Sequence, residues 1–338
     1  MNTVERFQRL FRFQPLDRLP VIEWAVWWDL TIERWYEEGL PRDLTKPGEI
    51  RDYFGQDSQE QIYINAIGAG CPRAGSHGAG IITNADDYER VKPYLYPKEN
   101  HIGPSLEVVQ RWAQQQAEGN TATWVSLQGF FWWPRVLLGI ERHLYSFYDQ
   151  PELIHQINQD LTDFNIWALE ELVKIVQPIF MTFFEDLSYN HGPMLSQKAF
   201  YTFLVPYYEQ LIPVLEKYDI IPIVDSDGDI TRVVPWFKSV GIKGILPLER
   251  MAGVDVAQLR TAHPDFILVG AFDKTVMKDG EAAMRAEFER LLPTMKTGGF
   301  IPSVDHQTPP DVSIENYRIY LRLLEEYCCK AGQDAVLG

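Results

Sequence analysis

The chain has few cysteines and few basic residues, and both shortages exclude classes of protein. Of its 338 residues only three are cysteines, Cys71 and the adjacent pair Cys328 and Cys329. This odd number does not build a disulfide framework and favours a reducing compartment. Lysine and arginine number 31 against 47 aspartates and glutamates, a formal net charge of −16. Because a field of this sign repels phosphate groups, we expect no nucleic-acid partner and no binding to an anionic membrane surface.

Long hydrophobic runs are missing as well. No stretch reaches the roughly 20 uncharged apolar residues that a membrane-spanning helix needs, and the first residues have no apolar core followed by a cleavage site. Together with the cysteine content, these absences predict a cytoplasmic protein. Hydrophobic residues still make up 46% of the chain and charged residues 23%, which is typical of a folded globular protein.

Short apolar segments alternate with longer amphipathic ones along the chain. Eight segments have the two-sided apolar pattern of strands buried beneath helices; they are residues 20–24, 61–66, 123–128, 179–184, 220–224, 244–247, 266–270 and 300–303. The segments between them have helical spacing, as in the apolar stripe over residues 153–175. Eight strands with helical connections predict an α/β protein whose residues 1–338 form a single (β/α)₈ TIM barrel.

Ionisable or aromatic residues follow seven of these predicted strands. Catalytic groups of a TIM barrel lie just beyond the carboxyl ends of its strands, so these positions are the candidate site. The candidates for catalysis are Glu185, Asp186, Asp227 and His306, and the candidates for substrate contact are Glu23, Trp24, Trp27, Trp28, Gln128, Phe130, Trp132, Glu249 and Asp273. Carboxylates crowded at one mouth raise one another's pKa, which suits a general acid or a cation site. The alternative for any single one is a helix N-cap.

Several longer stretches resemble the uroporphyrinogen decarboxylase superfamily. They read GFFWWPRVLLGIERHLYSFYDQPEL, FFEDLSYNHGPMLS, IPIVDSDGDI, GILPLERMAGVDVAQLR, VGAFDKTVMKDG and GGFIPSVDHQTPPDVSIENY. The similarity covers nearly the whole chain and is most specific in its carboxyl-terminal half. That superfamily folds as a (β/α)₈ barrel and contains both uroporphyrinogen decarboxylases and corrinoid-linked methyltransferases. The resemblance therefore implies an enzyme of one of these two kinds, and family members are often homodimers.

The amino-terminal region departs from the decarboxylases. They carry an arginine-rich motif of the kind LRQAGRY after the first strand, and those arginines bind the carboxylates of the substrate. The matching stretch here is EWAVWWDLTIERWYEEGLP, in which Arg34 is the only basic residue among five acidic ones. A substrate with eight carboxylates would meet negative potential there. The resemblance thus favours one-carbon transfer with a corrinoid protein as partner, and decarboxylation of uroporphyrinogen is the alternative.

The zinc-binding cysteines of the related methyltransferases are also absent. Those enzymes hold zinc through a His-x-Cys pair after strand five and a Cys after strand eight. Against that pattern, the resemblance places Asp225, Asp227 and His306 as ligands of a divalent metal, zinc or a similar ion. The same residues could instead form a metal-free acid–base cluster, since the decarboxylases also have a histidine after strand eight. Both hypotheses require Glu185 and these three residues to converge in space.

Three functions stay open at this point. The leading one is an enzyme whose pocket has aromatic walls and a polar floor formed by Glu185, Asp227 and His306, which suits a flat, weakly charged or cationic small molecule. Decarboxylation is the second. The third belongs to another class, a non-catalytic barrel that only binds a ligand, and the ionisable groups at seven strand ends argue against it.

Overall fold

A computed structural model describes residues 1–334 of the chain as helices that surround a parallel sheet. The strands are β1 (Gln59–Tyr63), β2 (Ala122–Gln128), β3 (Phe180–Phe184), β4 (Ser188–Tyr189), β5 (Gly192–Pro193), β6 (Ile221–Asp225), β7 (Gly244–Leu246), β8 (Ile267–Phe272) and β9 (Phe300–Val304). The helices are α1 (Thr3–Phe11), α2 (Asp29–Glu37), α3 (Pro47–Tyr53), α4 (Ala85–Val91), α5 (Leu106–Ala117), α6 (Trp132–Leu138), α7 (Ile140–Asp149), α8 (Pro151–Leu172), α9 (Gln197–Phe203), α10 (Val205–Lys217), α11 (Val234–Ser239), α12 (Val256–Ala262), α13 (Glu281–Met295) and α14 (Ile314–Asp334). Short 3₁₀ helices cover Lys92–Tyr94, Arg250–Ala252 and Lys274–Asp279.

Seven strands form one curled parallel sheet in the order β1-β2-β3-β6-β7-β8-β9. The register aligns the carboxyl ends of three neighbouring strands, because Gln128 pairs with Phe184 and Phe184 pairs with Asp225. Strands β4 and β5 form a separate antiparallel pair just after β3. Every residue of β8 and β9 is buried, as expected for strands covered by helices outside and by side chains inside the barrel. The fold is therefore the predicted α/β barrel of the TIM type.

The prediction of a strand over residues 20–24 is wrong, because this segment forms no β-ladder with the first or the last strand of the sheet. Their peptide groups are bonded mainly by side chains: the Glu23 amide donates to Gln56 Oε1 at 2.9 Å, and the Glu23 carbonyl accepts from Gln59 Nε2 at 2.9 Å. On the other side, the Glu23 carboxylate accepts from the Val304 amide at 3.0 Å. The segment thus connects the first and last strands of the sheet and takes the eighth place in the barrel.

The other seven predicted strands exist with shifted ends. The largest shift is at β1, which was predicted for residues 61–66 and ends at Tyr63. Beyond that residue the chain turns to the 101–103 segment, where the Asn65 amide donates to the His101 carbonyl at 2.7 Å. A local partner outside the sheet therefore ends the strand early.

The predicted helices that cover the sheet are present. Helix α8 begins at Pro151, whose missing amide proton costs nothing in the first turn, and it buries the predicted apolar stripe. The apolar segment over residues 200–215 is divided into α9 and α10 at Leu204, just before Pro206. Among residues 1–334, no helix combines the length and the apolar character needed to cross a membrane.

Candidate active site

A cavity of about 320 Å³ lies at the carboxyl ends of β2, β3, β6 and β9. It is lined by Trp24, Gln128, Trp132, Phe184, Asp186, Asp225, Asp227 and His306. These residues come from segments up to 282 positions apart (24 to 306) and meet because parallel strands end at the same rim of the barrel. The cavity is therefore the candidate active site. Two overlapping clusters of ionisable residues define its chemistry.

The first group, the histidine cluster, consists of Asp227, Glu249 and His306. Each offers one ligand atom, and these atoms lie within 4.8 Å of one another. His306 Nε2 is 3.6 Å from Asp227 Oδ1, and this carboxylate raises the pKa of His306. Glu249 Oε2 accepts from the Gly228 amide at 2.7 Å, and burial raises the pKa of Glu249. The cluster can hold either a proton or a divalent cation.

The second group, the triple-aspartate cluster, consists of Asp186, Asp225 and Asp227, whose ligand atoms also lie within 4.8 Å of one another. Burial, and then the neighbouring Asp227 carboxylate, raises the pKa of Asp186 to about 6. Burial and the adjacent carboxylates raise the pKa of Asp225 as well. Three acidic side chains this close favour a bound proton or a positively charged ligand over three free charges.

Two backbone features hold the triple-aspartate cluster in place. Asp186 has φ of 40°, in the left-handed region that side chains other than glycine rarely adopt. Its amide donates to the Asp225 carbonyl at 3.3 Å, so this conformation continues the pairing of β3 with β6. Gly228 has φ of 81°, and a Cβ atom there would lie 2.8 Å from the backbone of Tyr189. The turn after β6 therefore requires glycine.

Aromatic side chains form the walls of the cavity. The Trp24 indole donates to the Val304 carbonyl at 2.8 Å, and its ring meets the His306 ring edge to face at 6.2 Å. Trp132 stacks under the Arg135 guanidinium, 4.9 Å from ring centre to Cζ. Phe184 also lines the wall and is not among the residues predicted from the sequence. Phe184 is the last residue of β3 and directly precedes Glu185 and Asp186. That position at a strand end could have identified it as a residue of the site.

Glu185 was predicted to be catalytic, and the structure places its carboxylate away from the cavity. The side chain is fully buried and accepts from the amides of Phe130 at 2.9 Å and Phe131 at 2.7 Å. The Trp132 amide at 3.3 Å and the Tyr208 hydroxyl are further donors. Full burial raises the pKa of Glu185 to about 7, against the opposing effect of these donors. This geometry anchors the start of α6. The predicted convergence of four residues is therefore wrong for Glu185, while Asp225, Asp227 and His306 do line one cavity.

Three of the predicted aromatic contacts lie outside the cavity. Trp27 is buried and packs against Trp35 and Tyr317 in the core. Phe130 is also buried, with its ring edge to face with Tyr208, because its amide is held by Glu185. Trp28 is 45% exposed and lines a separate cleft on the surface. Of the five aromatic residues predicted to contact the substrate, Trp24 and Trp132 line the cavity.

Two predicted acidic contacts also have other partners. Glu23 is fully buried, accepts from the Ser303 hydroxyl and the Val304 amide, and has its pKa raised to about 7 by burial. Asp273 caps the 3₁₀ helix that follows β8 and accepts from the Thr275 amide at 2.9 Å. The N-cap alternative therefore describes the geometry of Asp273.

The predicted metal-binding set of Asp225, Asp227 and His306 does not form one cluster. Asp227 belongs to both clusters, His306 to one and Asp225 to the other. Glu249, predicted as a substrate contact, completes the histidine cluster instead. Glu249 follows β7, and its carboxylate accepts a hydrogen bond from the Gly228 amide in the turn after β6. This hydrogen bond places Glu249 beside Asp227.

A buried ion pair lies next to His306. Asp305 is fully buried and accepts from Lys274 Nζ at 3.1 Å and from the Arg250 amide at 3.0 Å. Lys274 is thus already paired with a carboxylate of its own. The loops after β7, β8 and β9 are joined through this one aspartate, which fixes the position of the neighbouring His306.

The fold and the site together define a class, an α/β barrel with an acidic, aromatic-walled cavity at the carboxyl ends of its strands. The family model described as Uroporphyrinogen decarboxylase (URO-D) matches residues 71–327. The chain belongs to this family of enzymes.

Two matched proteins are distant from this chain in sequence. A uroporphyrinogen decarboxylase of Campylobacter jejuni is 25% identical over 191 residues, 54% of this chain and 52% of the relative. The match thus spans about half the length of the curated relatives. A solved structure from Listeria monocytogenes, described as a candidate vitamin-B12 independent methionine synthase, covers 95% of this chain and 98% of that chain with a TM-score of 0.45 and 11% identity. Likeness of that degree gives no information on activity.

Proposed function

We propose that this chain is a one-carbon transferase of the URO-D family that moves a methyl group from a small substrate to an acceptor such as a corrinoid. The observation that carries the proposal is the histidine cluster of Asp227, Glu249 and His306 at the wall of a small cavity. The reaction needs a compact site that binds one methyl-bearing group, and the cavity has the size and the polar groups for it.

The charge and volume of the cavity argue against a tetrapyrrole substrate. About 320 Å³ is close to the lower end of the roughly 300–1,000 Å³ typical of small-molecule pockets. Four carboxylates surround the site, those of Asp186, Asp225, Asp227 and Glu249. A porphyrinogen with eight carboxylates needs several cationic partners, and Arg135 alone in this acidic surrounding does not replace an arginine motif.

A divalent metal ion fits the histidine cluster. Two carboxylates and one imidazole are a common ligand set for zinc and similar ions. Ligands about 2.0–2.1 Å from a tetrahedral ion lie about 3.4 Å from each other, and Asp227 Oδ1 and His306 Nε2 are 3.6 Å apart. When bound, such an ion would supply Lewis-acid activation of a group on the substrate or acceptor. Asp227, Glu249 and His306 would hold it.

The remaining residues bind the substrate and exchange a proton with it. Asp186 lines the cavity, and its pKa of about 6 lets it change protonation state near neutral pH. Trp24 and Trp132 bring apolar surface to the substrate and reduce the access of water. Because Trp24 is held by the Val304 carbonyl, its ring stays in position before the substrate enters.

The test combines metal analysis with a methyl-transfer assay. Wild-type protein from metal-supplemented growth should contain about one divalent ion per chain. It should also convert cob(I)alamin to methylcobalamin, followed by absorbance, with at least one member of a panel of methoxy, methylthio and methylammonium donors. His306→Ala and Asp227→Asn should lose both the ion and the activity. His263→Ala is the matched control, because His263 precedes β8 and so lies at the opposite end of the barrel. A metal-free wild-type protein without methyl transfer from any donor would refute the proposal.

A further inference from the structure

We propose that the cavity binds a small organic ammonium cation that carries N-methyl groups. This inference rests on the proposed one-carbon transfer, because it names the class of methyl donor. It is drawn from the polar lining, the charge balance and the aromatic walls of the cavity, and each of these can be read from the structure independently.

The polar lining offers mostly hydrogen-bond acceptors. Gln128 Oε1 is buried and has no hydrogen-bond partner among the described residues. The three carboxylates of the triple-aspartate cluster line the same space. The indole N–H of Trp24 is already donated to a backbone carbonyl, so the donors left on the wall are the His306 imidazole, the Gln128 amide and the Trp132 indole. Such a lining complements a ligand that brings positive charge or N–H groups.

The charge balance selects a cation. Lys274 is paired with Asp305, so Arg135 is the permanently charged side chain whose field acts on Asp186. Burial favours the protonated form of Asp225, so Asp186, Asp227 and Glu249 are the acidic groups that can balance a positively charged ligand. Among residues 1–334, these groups have no lysine partner of their own at the cavity, which suits a cation better than an anionic substrate.

The aromatic walls select an organic cation over a second metal ion. Trp24, Trp132 and Phe184 bound the cavity, and none of them supplies a ligand atom to a metal. A methylated ammonium spreads its charge over methyl groups that are weakly hydrated and pack on ring faces. Arg135 lies over the Trp132 ring at 4.9 Å, so this ring already makes one cation–π contact within the protein. Rings and carboxylates together favour a charged ligand with an apolar surface.

The experiment compares choline with its neutral carbon isostere, 3,3-dimethylbutan-1-ol, by isothermal titration calorimetry on the wild-type protein. The two probes have the same shape and differ in charge. We expect choline to bind at least about tenfold more tightly than the neutral isostere. Either a cation–π contact or a nearby carboxylate is enough for a difference of that size. Asp186→Asn should weaken choline about tenfold and leave the isostere unchanged. Asp225→Asn, at a carboxyl whose burial favours its protonated form, should weaken choline less and also leave the isostere unchanged. Glu216→Gln, on the exposed side of α10, should change neither affinity.

The walls are tested with a second variant. Trp24→Leu keeps an apolar side chain and removes the ring, so choline affinity should fall by about three- to tenfold while the isostere changes little. Circular dichroism and the metal content of each variant verify that the barrel is intact, and two independent aspartate variants guard against one that fails to fold.

The outcomes separate this inference from the proposed function. Equal affinity for the two probes, or choline binding that is insensitive to all three substitutions, overturns the cation inference. Methyl transfer from a neutral donor by a protein with no affinity for choline also overturns it and leaves the transferase proposal intact. Charge-selective choline binding without any methyl transfer supports the cation site and counts against the transferase.

Discussion

The buried carboxylate of Glu185 gives the sharpest prediction of the structure. It holds the amides of Phe130, Phe131 and Trp132 at the start of α6, where helical N–H groups have no partner of their own. In Glu185→Ala these amides lose their acceptor inside a dry part of the protein. We therefore expect a large loss of stability, and a shift of the Trp132 side chain that lines the cavity.

The expected magnitude follows from the number of amides left without a partner. Each buried donor without an acceptor costs about 1–3 kcal/mol, and water that enters the space left by the side chain recovers part of it. The free energy of unfolding of Glu185→Ala should fall by about 3–5 kcal/mol. Glu185→Gln keeps the shape and one acceptor oxygen, so it should lose about 1–2 kcal/mol.

Urea unfolding followed by circular dichroism measures these changes. Glu209→Ala is the matched control, because Glu209 is exposed on α10 beside Tyr208 and should change stability by less than about 0.5 kcal/mol. If Glu185→Ala is as stable as the control and only activity is lost, then Glu185 acts on the substrate and the anchoring role is refuted.

Three further predictions follow from other parts of the molecule. Gly228→Ala should lose about 2 kcal/mol or more, because its Cβ would lie 2.8 Å from the Tyr189 backbone at φ of 81°; Gly39→Ala, with φ of 106° and open space around it, should lose less in the same unfolding assay, and equal losses would contradict the steric argument. Burial lowers the pKa of His143 from 6.5 to about 3, so between about pH 6.5 and pH 3 the unfolded chain binds a proton there that the folded chain does not, and this histidine contributes a fall in stability with decreasing pH. His143→Phe should make that fall shallower by about 1.4 kcal/mol per pH unit, and an unchanged pH profile would disprove this. Uroporphyrinogen should give no decarboxylated product above the enzyme-free background in an anaerobic assay, and efficient turnover would restore the decarboxylase alternative.

The positions of the strands could be predicted because their signal is local. A run such as 266–270 is apolar on both faces wherever it lies in a covered sheet, so the pattern identifies the strand without its neighbours. Residues 20–24 have a similar apolar pattern and form no ladder. What ends the ladder there is a set of side-chain acceptors, Gln56 and Asp57 among them, that lie more than thirty positions along the chain. Local sequence carries no trace of such partners.

The candidate site was predicted by the same kind of rule. Residues that follow a strand must lie at the carboxyl rim of a parallel barrel, and their place in the sequence was enough to locate Asp186, Asp227 and His306 there. The rule does not give the direction of a side chain. Glu185 and Asp186 are neighbours in sequence, but one turns to the backbone of α6 and the other, with φ of 40°, lines the cavity.

The sequence by itself thus determined the α/β barrel and its acidic and aromatic rim, because apolar periodicity and strand-end chemistry are properties of short segments. The family came from the resemblance of longer stretches and is shown by the family model. Only the tertiary structure decided which acidic residues share a cluster, that Glu249 joins His306, and that Glu185 is used as an anchor. The physical reason is that direction and burial depend on hydrogen bonds between residues far apart in the chain. The pKa of a carboxyl group depends on its burial and on the charges and hydrogen bonds around it far more than on its position in the sequence.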